Sequence, residues 1–172
     1  GTTYNVSNAE IFIAKLDGAN GALKWAVTGG GIGNQQVTDI VVDNAGNIHV
    51  AVLTQNNVLF GTNSYNVVGT QDSVIVKLSS AGAFQSVTGY GIANQAVSLT
   101  ALAVDANGDL YAGGSFEGTM AKNGWSITAN KGGSDLFFIK EGTTPTNQWA
   151  ATGGSNSADS LQAMDVSSAG EL

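Results

Sequence analysis

The sequence predicts an all-β fold built from a structural repeat, and three observations in the 172-residue chain support this prediction. Short motifs return at a spacing of 62 residues, and the apolar runs between them are too short for helices. Glycine-containing turns separate those runs, and no stretch shows the 3.6-residue apolar period of an amphipathic helix. A β-propeller, in which four-stranded sheets stack around an axis, accounts for all three observations.

The first motif is a turn of seven residues. Its copies occupy residues 42–48, 104–110 and 166–172. In the first two copies an aspartate, Asp43 or Asp105, precedes a glycine, Gly46 or Gly108, by three residues. This composition is typical of a tight hairpin in which the glycine takes a positive φ. The motif therefore predicts a hairpin between the first two strands of each repeat.

Two further motifs keep the same period. The segments that end in a lysine are residues 11–15, 73–77 and 136–140, and their lysines are 62 and 63 residues apart. The tryptophan segment at residues 25–29 returns at 149–153, which is twice the period. Apolar runs at equivalent positions predict the innermost strands, and these runs are residues 37–43, 99–105 and 161–167. The repeat then contains four strands, the content of one antiparallel propeller blade. Runs such as Ile40-Val41-Val42 and Phe137-Phe138-Ile139 are apolar at consecutive positions, which predicts sheets covered on both faces.

The repeat divides a single domain, residues 1–172, into about three incomplete blades. The predicted parts are a partial blade at 1–30, full blades at 31–90 and 91–154, and the start of another blade at 155–172. Such an order leaves open sheet edges, which aggregate unless another strand pairs with them. We therefore expect an excerpt of a larger propeller, or a partner chain that pairs with the open edges.

Composition limits the classes of partner and chemistry. The net charge is −7, and all six cations are lysines, so no basic surface for nucleic acid is expected. No apolar run reaches the roughly 20 residues that span a bilayer, so we expect no membrane insertion. The sequence contains no cysteine, which excludes disulfides and thiolate metal ligands.

Three segments carry a resemblance to a known family. They are residues 40–50, 72–78 and 23–26. They resemble the bacterial SBBP β-propeller repeat, in the long-repeat version found on secreted and surface proteins of Bacteroidota. The resemblance implies an extracellular or cell-surface location. It carries no catalytic signature, so it implies neither enzyme activity nor a cofactor.

Each repeat also contains an extra segment before the lysine strand, which is predicted to form a hairpin on the rim or one face of the blade. Aromatic residues recur in this segment at Tyr4, Tyr65 and Trp125. Exposed rings could stack on sugar rings, whereas buried rings would anchor the hairpin on its blade. These residues are the candidate ligand-binding residues, with protein or carbohydrate at the cell surface as the expected partner.

No metal site is predicted. Residues 105–109 place oxygen donors at alternate positions, as calcium loops do, but the glycine comes too early. Phe116 stands where such a loop needs its glutamate, so a hairpin turn is favoured. His49, the only histidine, takes the place that Tyr111 has in the next repeat, which favours packing over metal binding or general base catalysis.

Acid–lysine pairs recur in every repeat, at Glu10/Lys15, Asp72/Lys77 and Asp135/Lys140. Side chains five residues apart on a strand point to opposite faces, so the two members of a pair cannot form one acid–base dyad. A structural role, such as a bond to a neighbouring strand or blade, is expected.

Three classes of function remain open. A non-catalytic scaffold for surface display, adhesion or interaction is favoured, and a carbohydrate- or protein-binding propeller is the alternative. A glycoside hydrolase or lyase is least favoured, and no catalytic residue is predicted. Hydrolysis would need two facing carboxylates. The candidates for such a pair are Asp39, Asp43, Asp105, Asp159 and Asp165.

Overall fold

A computed structural model describes residues 11–142, 144 and 146–172. The described residues form fourteen β-strands joined by turns and loops, without a helix among them, which confirms the predicted all-β fold. The strands are β1 (Ile11–Leu16), β2 (Leu23–Gly31), β3 (Gln35–Val42), β4 (Ile48–Thr54), β5 (Val58–Phe60), β6 (Asn63–Tyr65), β7 (Asp72–Leu78), β8 (Phe84–Tyr90), β9 (Val97–Val104), β10 (Leu110–Phe116), β11 (Thr119–Lys122), β12 (Trp125–Thr128), β13 (Asp135–Glu141) and β14 (Trp149–Gly153). No helix long and apolar enough to cross a membrane occurs in this part of the chain.

The strands build two complete antiparallel blades and half of another. Blade 1 has the strand order β3-β4-β7-β8, and blade 2 has the order β9-β10-β13-β14. Strands β1 and β2 pair antiparallel and form what we call the leading half-blade. Its two strands correspond to the third and fourth strands of a blade, because Lys15 in β1 has the same repeat position as Lys77 in β7. The fold is therefore an incomplete β-propeller made of four-stranded blades.

The extra segment of each blade forms a hairpin between its second and third strands. In blade 1 this hairpin is β5-β6, and β5 also pairs with the end of β2 through Gly30 and Gly31. The hairpin therefore extends the sheet of the leading half-blade instead of its own. In blade 2 the hairpin β11-β12 is a separate two-stranded ribbon, and Lys122 on it donates to the Gly89 carbonyl of blade 1 at 3.3 Å. Both hairpins thus connect neighbouring blades.

The central strands of blade 1 are buried on both faces. Val50 and Val74 pack against Ile11 and Ile13 of the leading half-blade. The alternate positions, such as Ile75, pack against the core of blade 2. Side chains of a strand point alternately to the two faces, so double coverage requires apolar residues at consecutive positions. This is the physical origin of the continuous apolar runs.

The two apolar runs that were predicted to be covered on both faces differ in their burial. Phe137 and Ile139 are fully buried, and Phe138 between them is partly buried. In contrast, Ile40 and Val42 are exposed, so β3 is covered on only one face. The difference arises because the leading half-blade contributes only the outer strands β1 and β2, and no inner strand of that blade lies beside β3 among the described residues.

The innermost strands are linked by a repeated side-chain hydrogen bond. Thr38 Oγ1 on β3 donates to the Leu99 carbonyl at 2.8 Å, and Thr100 Oγ1 on β9 donates to the Leu161 carbonyl at 3.0 Å. Residues 161–167 form no strand in the described structure. The first of them, Leu161, nevertheless contacts β9 of blade 2 in the same way as Leu99 of β9 contacts β3 of blade 1. Equivalent contacts at consecutive blades place these segments around one axis.

The hairpin motif adopts one conformation in all three copies. Gly46, Gly108 and Gly170 have φ values of 81°, 83° and 81°. Each glycine donates its amide to the carbonyl three residues earlier, at 2.8 to 3.0 Å. The predicted positive φ at Gly46 and Gly108 is confirmed. The copy at Gly170 keeps this geometry although a serine, Ser167, replaces the aspartate.

Gly108→Ala is expected to lower the free energy of unfolding by about 1 kcal/mol, because a Cβ atom disfavours a left-handed backbone. No atom lies within 4 Å of the position that this Cβ would take, so steric clash adds nothing to the cost. Gly18→Ala is the matched control, since its added Cβ also has open space and its φ is not left-handed. Urea denaturation of the two variants checks the difference, and equal losses would contradict the role of the turn.

Candidate functional site

The structure places two of the three candidate ligand-binding aromatics in separate hairpins, and Tyr4 lies outside the described residues. Tyr65, at the end of β6, is partly buried, with its ring directly against Gly89. Its hydroxyl donates to Asp72 Oδ2 at 2.7 Å, and burial together with this carboxylate raises the pKa of Tyr65. Trp125, on β12, packs against the core of blade 2. Both rings make anchoring contacts, and their use as a ligand surface stays a prediction.

Two acids of the acid–lysine pairs, Asp72 and Asp135, hold the loops that follow the extra hairpins, and Glu10 lies outside the described residues. Asp72 is fully buried at the start of β7, and besides the Tyr65 hydroxyl it accepts the amides of Val68 and Gly69 at 2.8 and 3.0 Å. Asp135 is buried at the start of β13 and accepts the amides of two loop residues at 2.9 and 3.3 Å. The acid of each complete blade therefore fixes the hairpin loop of its own blade, whereas a bond to a neighbouring strand or blade was expected.

The lysines of the same pairs lie elsewhere and have different partners. Lys15 donates to the Ser80 carbonyl at 3.2 Å, and Lys140 lies 2.8 Å from Asp109 Oδ2. Lys77 makes no hydrogen bond or ion pair with any described residue, although it occupies the same repeat position. The reason is a change in the turn of blade 1. The residue equivalent to Asp109 is Asn47, whose side-chain amide is bonded to Asp43 at 2.9 Å.

The turn aspartates have the same geometry in both blades. The Oδ1 atom of Asp43 or Asp105 accepts the backbone amides two and four residues later, at 2.8 to 3.0 Å. The Oδ2 atom contacts the side chain six residues later. This is His49 Nε2 at 3.2 Å in blade 1 and the Tyr111 hydroxyl at 3.1 Å in blade 2. His49 thus occupies the place of a tyrosine and contacts the same partner.

At residues 105–109, the carboxylate oxygens that a calcium ion would need already contact other side chains of the protein. Asp105 and Asp109 are both buried, and Lys140 lies 3.8 and 2.8 Å from their Oδ2 atoms. Asn147 also donates to Asp109. Within the described ranges, no group of three or more His, Asp or Glu side chains is placed to hold a metal ion.

The five candidate carboxylates for hydrolysis have structural partners. Asp39 accepts the amide of Leu102 in the neighbouring blade at 2.6 Å. Each of the others also accepts at least one backbone amide, at 2.7 to 3.0 Å, and these residues are Asp43, Asp105, Asp159 and Asp165. Carboxylates held in this way support turns and blade contacts.

Asp43 and His49 shift each other's protonation. Burial by itself would raise the pKa of Asp43, but hydrogen bonds from Asn47 and His49 outweigh it and lower the pKa to about 2. Burial lowers the pKa of His49 below its ordinary value, and the hydrogen bond with Asp43 offsets this shift only in part. At neutral pH the pair is therefore a carboxylate beside a neutral imidazole.

The protein is expected to lose stability as the pH falls from 7.5 to 5.5, and His49→Tyr should remove this dependence. With its pKa lowered in the folded state, His49 takes up a proton more readily in the unfolded chain, so acid favours unfolding below the ordinary histidine pKa. His49 is the only histidine, and tyrosine is the residue that blade 2 carries at this position. Urea denaturation at both pH values checks the effect. An unchanged slope in His49→Tyr would assign the pH dependence to other groups.

A cleft lies between blades 1 and 2, beside His49, and it has a volume of about 310 Å³. We call it the interblade cleft. Its polar lining comes from the β3–β4 turn and strands β4, β7 and β8 of blade 1, and from the extra hairpin, the end of β13 and the β13–β14 turn of blade 2. The polar residues that line it are Asp43, His49, Lys77, Ser86, Thr88, Lys122, Asn123, Glu141 and Gln148.

Two of the charged groups in the cleft are paired with each other. Lys122 Nζ lies 3.7 Å from Glu141 Oε1 and 4.0 Å from the centroid of the Tyr90 ring, and the Tyr90 hydroxyl donates to Glu141. Burial lowers the pKa of Lys122 in spite of this carboxylate, and burial raises the pKa of Tyr90. With Asp43 held by its turn, Lys77 is the charged group of the cleft that remains without a hydrogen-bond or ion-pair partner among the described residues.

The interblade cleft was not predicted from the sequence. The repeat motifs are defined by what the copies share, whereas the cleft depends on what differs between them. Part of the signal is present in the sequence, since His49 stands where the next repeat has Tyr111. The cross-strand register adds a second such difference, because Ser86 pairs with Lys77 as Trp149 pairs with Lys140.

In comparisons with known proteins, no protein-family model and no curated protein matched this chain. The structure defines its class as a β-propeller segment of four-stranded antiparallel blades. The resemblance to the SBBP repeat stays a prediction based on the three sequence segments.

Proposed function

We propose that the chain is a non-catalytic, extracellular propeller segment that serves as a scaffold for surface display, adhesion or protein interaction. One observation carries the proposal, namely an apolar sheet face on blade 1 that is exposed although its counterpart in blade 2 is buried. An apolar face of this kind marks a surface that another protein surface covers.

The two faces can be compared residue by residue. Val37 on β3 is 41% exposed, whereas its equivalent Leu99 on β9 is 0% exposed. Ile40 is 51% exposed, and its equivalent Leu102 is 3% exposed. In blade 2 this face is covered by blade 1, which packs its own strands against it. The occupant that fits the exposed face of blade 1 is therefore another blade of the same repeat, and a partner chain is the other outcome.

The non-catalytic part of the proposal rests on the use of the ionisable side chains. The turn aspartates, the buried acids Asp72 and Asp135 and the repeat lysine Lys140 all support turns, loops or blade contacts. The same bonds recur from blade to blade, which is expected of an architecture that repeats for structural reasons. The extracellular location is proposed from the resemblance to the SBBP repeat.

A carbohydrate- or protein-binding propeller is the second candidate function. The observation that favours it is the interblade cleft, which combines a defined volume, polar side chains from two blades and the unpaired Lys77. A binding role is compatible with a scaffold, because loops and clefts held by a rigid framework commonly carry binding residues.

The proposal predicts that the purified chain associates through the exposed face of β3. Light scattering coupled to size-exclusion chromatography should give a mass above that of the 17.4 kDa chain, rising with concentration. Ile40→Lys should return the chain to a monomer, because it places a charge on the exposed face without touching the core. Thr152→Lys, an exposed position on β14, is the control and should leave the association unchanged. A monomeric wild type at all concentrations would overturn the proposed use of this face.

A further inference from the structure

We propose that the interblade cleft binds an acidic sugar, a single pyranose ring with a carboxylate group, and that Lys77 holds the carboxylate. A display scaffold needs no small-molecule ligand, so this site extends the proposed function. Three observations support the proposal: the cleft stands in place of an aromatic side chain, Lys77 in it is unpaired, and its other groups are suited to hydroxyls.

The cleft exists because blade 1 departs from the repeat in one row of side chains. The strand register places His49, Lys77 and Ser86 side by side across β4, β7 and β8. The same row in blade 2 consists of Tyr111, Lys140 and Trp149. Cross-strand neighbours share one face of a sheet. Blade 1 thus carries an imidazole and a hydroxymethyl group where blade 2 carries two large aromatic rings.

In the leading half-blade, a tryptophan side chain occupies the position that is equivalent to Ser86. Trp25 pairs in register with Lys15, and it therefore stands in the position of Ser86. Its indole N–H donates to the Ser80 carbonyl at 3.2 Å, and its ring lies against Gly82, both in the β7–β8 turn of the following blade. The equivalent turn of blade 2 joins β13 and β14.

The wall of the interblade cleft includes this equivalent turn. Gly142, which directly follows β13 as Ser79 directly follows β7, lines the cleft together with Gln148, and both lie between β13 and β14. The cleft therefore occupies the space that an indole fills between the leading half-blade and blade 1. A slot shaped by the repeat for a ring-sized side chain is open here because the side chain is Ser86.

The polar side chains that line the cleft favour a sugar ring over an aromatic ring. Ser86, Thr88, Asn123 and Gln148 offer hydroxyl and amide groups that donate and accept hydrogen bonds, as the hydroxyls of a sugar require. A purely aromatic ligand would leave these groups unsatisfied, which costs binding energy. The cleft volume of about 310 Å³ is at the lower end for small-molecule sites, which fits a single ring.

The charged side chains of the cleft favour a sugar ring that carries a carboxylate group. Asp43 is held by its turn, and Glu141 is engaged by Tyr90 and Lys122. The ammonium of Lys77 is left as the unpaired charge among the described residues of the cleft. A lysine in a partly enclosed site forms its strongest hydrogen bonds with an anionic acceptor such as a carboxylate.

The test is an NMR titration of the isotope-labelled full chain with methyl glucuronide, a uronic acid monosaccharide, and with methyl glucoside as the neutral control. The glucuronide should shift the backbone amide signals of Ser86, Thr88, Asn123 and Gln148. The glucoside should bind at least about tenfold more weakly, since it lacks the charge-assisted bond. Equal binding of both sugars would overturn the role of the carboxylate, and no shift at about 50 mM glucuronide, where even millimolar affinity is visible, would overturn the site.

Three variants assign the binding to the proposed slot. Ser86→Trp, which restores the residue of the neighbouring repeats, should abolish the shifts while the chain remains folded. Lys77→Gln should weaken glucuronide binding about tenfold without affecting the glucoside. Lys15→Gln removes a lysine from the same repeat position outside the cleft and should leave the affinity unchanged. Should Ser86→Trp fail to fold, Lys77→Gln alone still decides the matter, and an unchanged affinity there would contradict the proposal.

The outcomes also separate this site from the proposed scaffold function. Loss of association in Ile40→Lys concerns the exposed face of β3, which is on the side of blade 1 away from the cleft. A chain that associates but binds no glucuronide would keep the scaffold proposal and remove the sugar site. A chain that binds glucuronide as a monomer would do the reverse.

Discussion

Asp72→Ala is expected to lower the free energy of unfolding by about 3 kcal/mol. The carboxylate of Asp72 is fully buried and accepts three hydrogen bonds, from the Tyr65 hydroxyl and from the amides of Val68 and Gly69. Alanine removes all three acceptor contacts and leaves the donors without a partner in a site that water enters poorly. Leaving a buried donor unsatisfied costs about 1–3 kcal/mol, so the loss exceeds that of an ordinary hydrogen bond. Urea denaturation at neutral pH measures it.

Tyr65→Phe is the matched control for Asp72→Ala. It removes one of the three hydrogen bonds and keeps the ring against Gly89, so we expect a loss of about 1 kcal/mol. If Asp72→Ala cost no more than Tyr65→Phe, the two backbone bonds would contribute nothing, and the anchoring role of the acid would be wrong. The wild-type hairpin β5-β6 should also exchange its amide hydrogens more slowly than it does in Asp72→Ala, because the acid holds the loop that follows it.

The structural role of this acid could be predicted, but its partners could not. Recurrence at Asp72 and Asp135 showed that every blade needs an acid at the start of its third strand. The partner was expected on a neighbouring strand or blade, whereas the structure gives the loop of the same blade's hairpin. Glycines at equivalent places, Gly91 and Gly154, bring the backbone directly against the two carboxylates. No local pattern reports such an approach between distant segments.

The fold was predictable because a period depends on many residues at once. Turns, strands and inner apolar runs repeat in phase, so each copy supports the interpretation of the others, and the four-stranded blades follow. The attachment of β5 to β2 was not predictable, since it depends on which of two neighbouring sheets the short hairpin meets in space. The exposure of Ile40 was also missed, because a sequence pattern shows that a face is apolar and not whether it is covered.

The interblade cleft shows the same limit in another form. A shared motif identifies the architecture through the residues that are the same in each copy. The cleft arises from two positions where blade 1 differs, His49 and Ser86. Only the strand register shows that these residues are neighbours, because they are 37 positions apart in the chain and are joined through Lys77 on the strand between them.

Leu99→Ala is expected to lower the free energy of unfolding by about 3 kcal/mol, whereas Val37→Ala should cost less than about 1 kcal/mol. The two residues hold the same repeat position on β9 and β3, but Leu99 is fully buried between the blades and Val37 is 41% exposed. The loss at Leu99 combines the transfer of its side chain with the cavity that remains. Urea denaturation of both variants at low protein concentration gives the comparison.

The concentration dependence of the stability loss in Val37→Ala then tests whether another blade covers the exposed face of β3. If another blade covers the face of β3, association stabilises the folded chain by mass action, and the cost of Val37→Ala should rise towards that of Leu99→Ala as the concentration increases. Leu99 is already covered within the chain, so its cost should stay constant. A large cost of Val37→Ala at the lowest concentration would show that the face is covered within the monomer. A small cost at every concentration would show that association, where it occurs, uses a different surface.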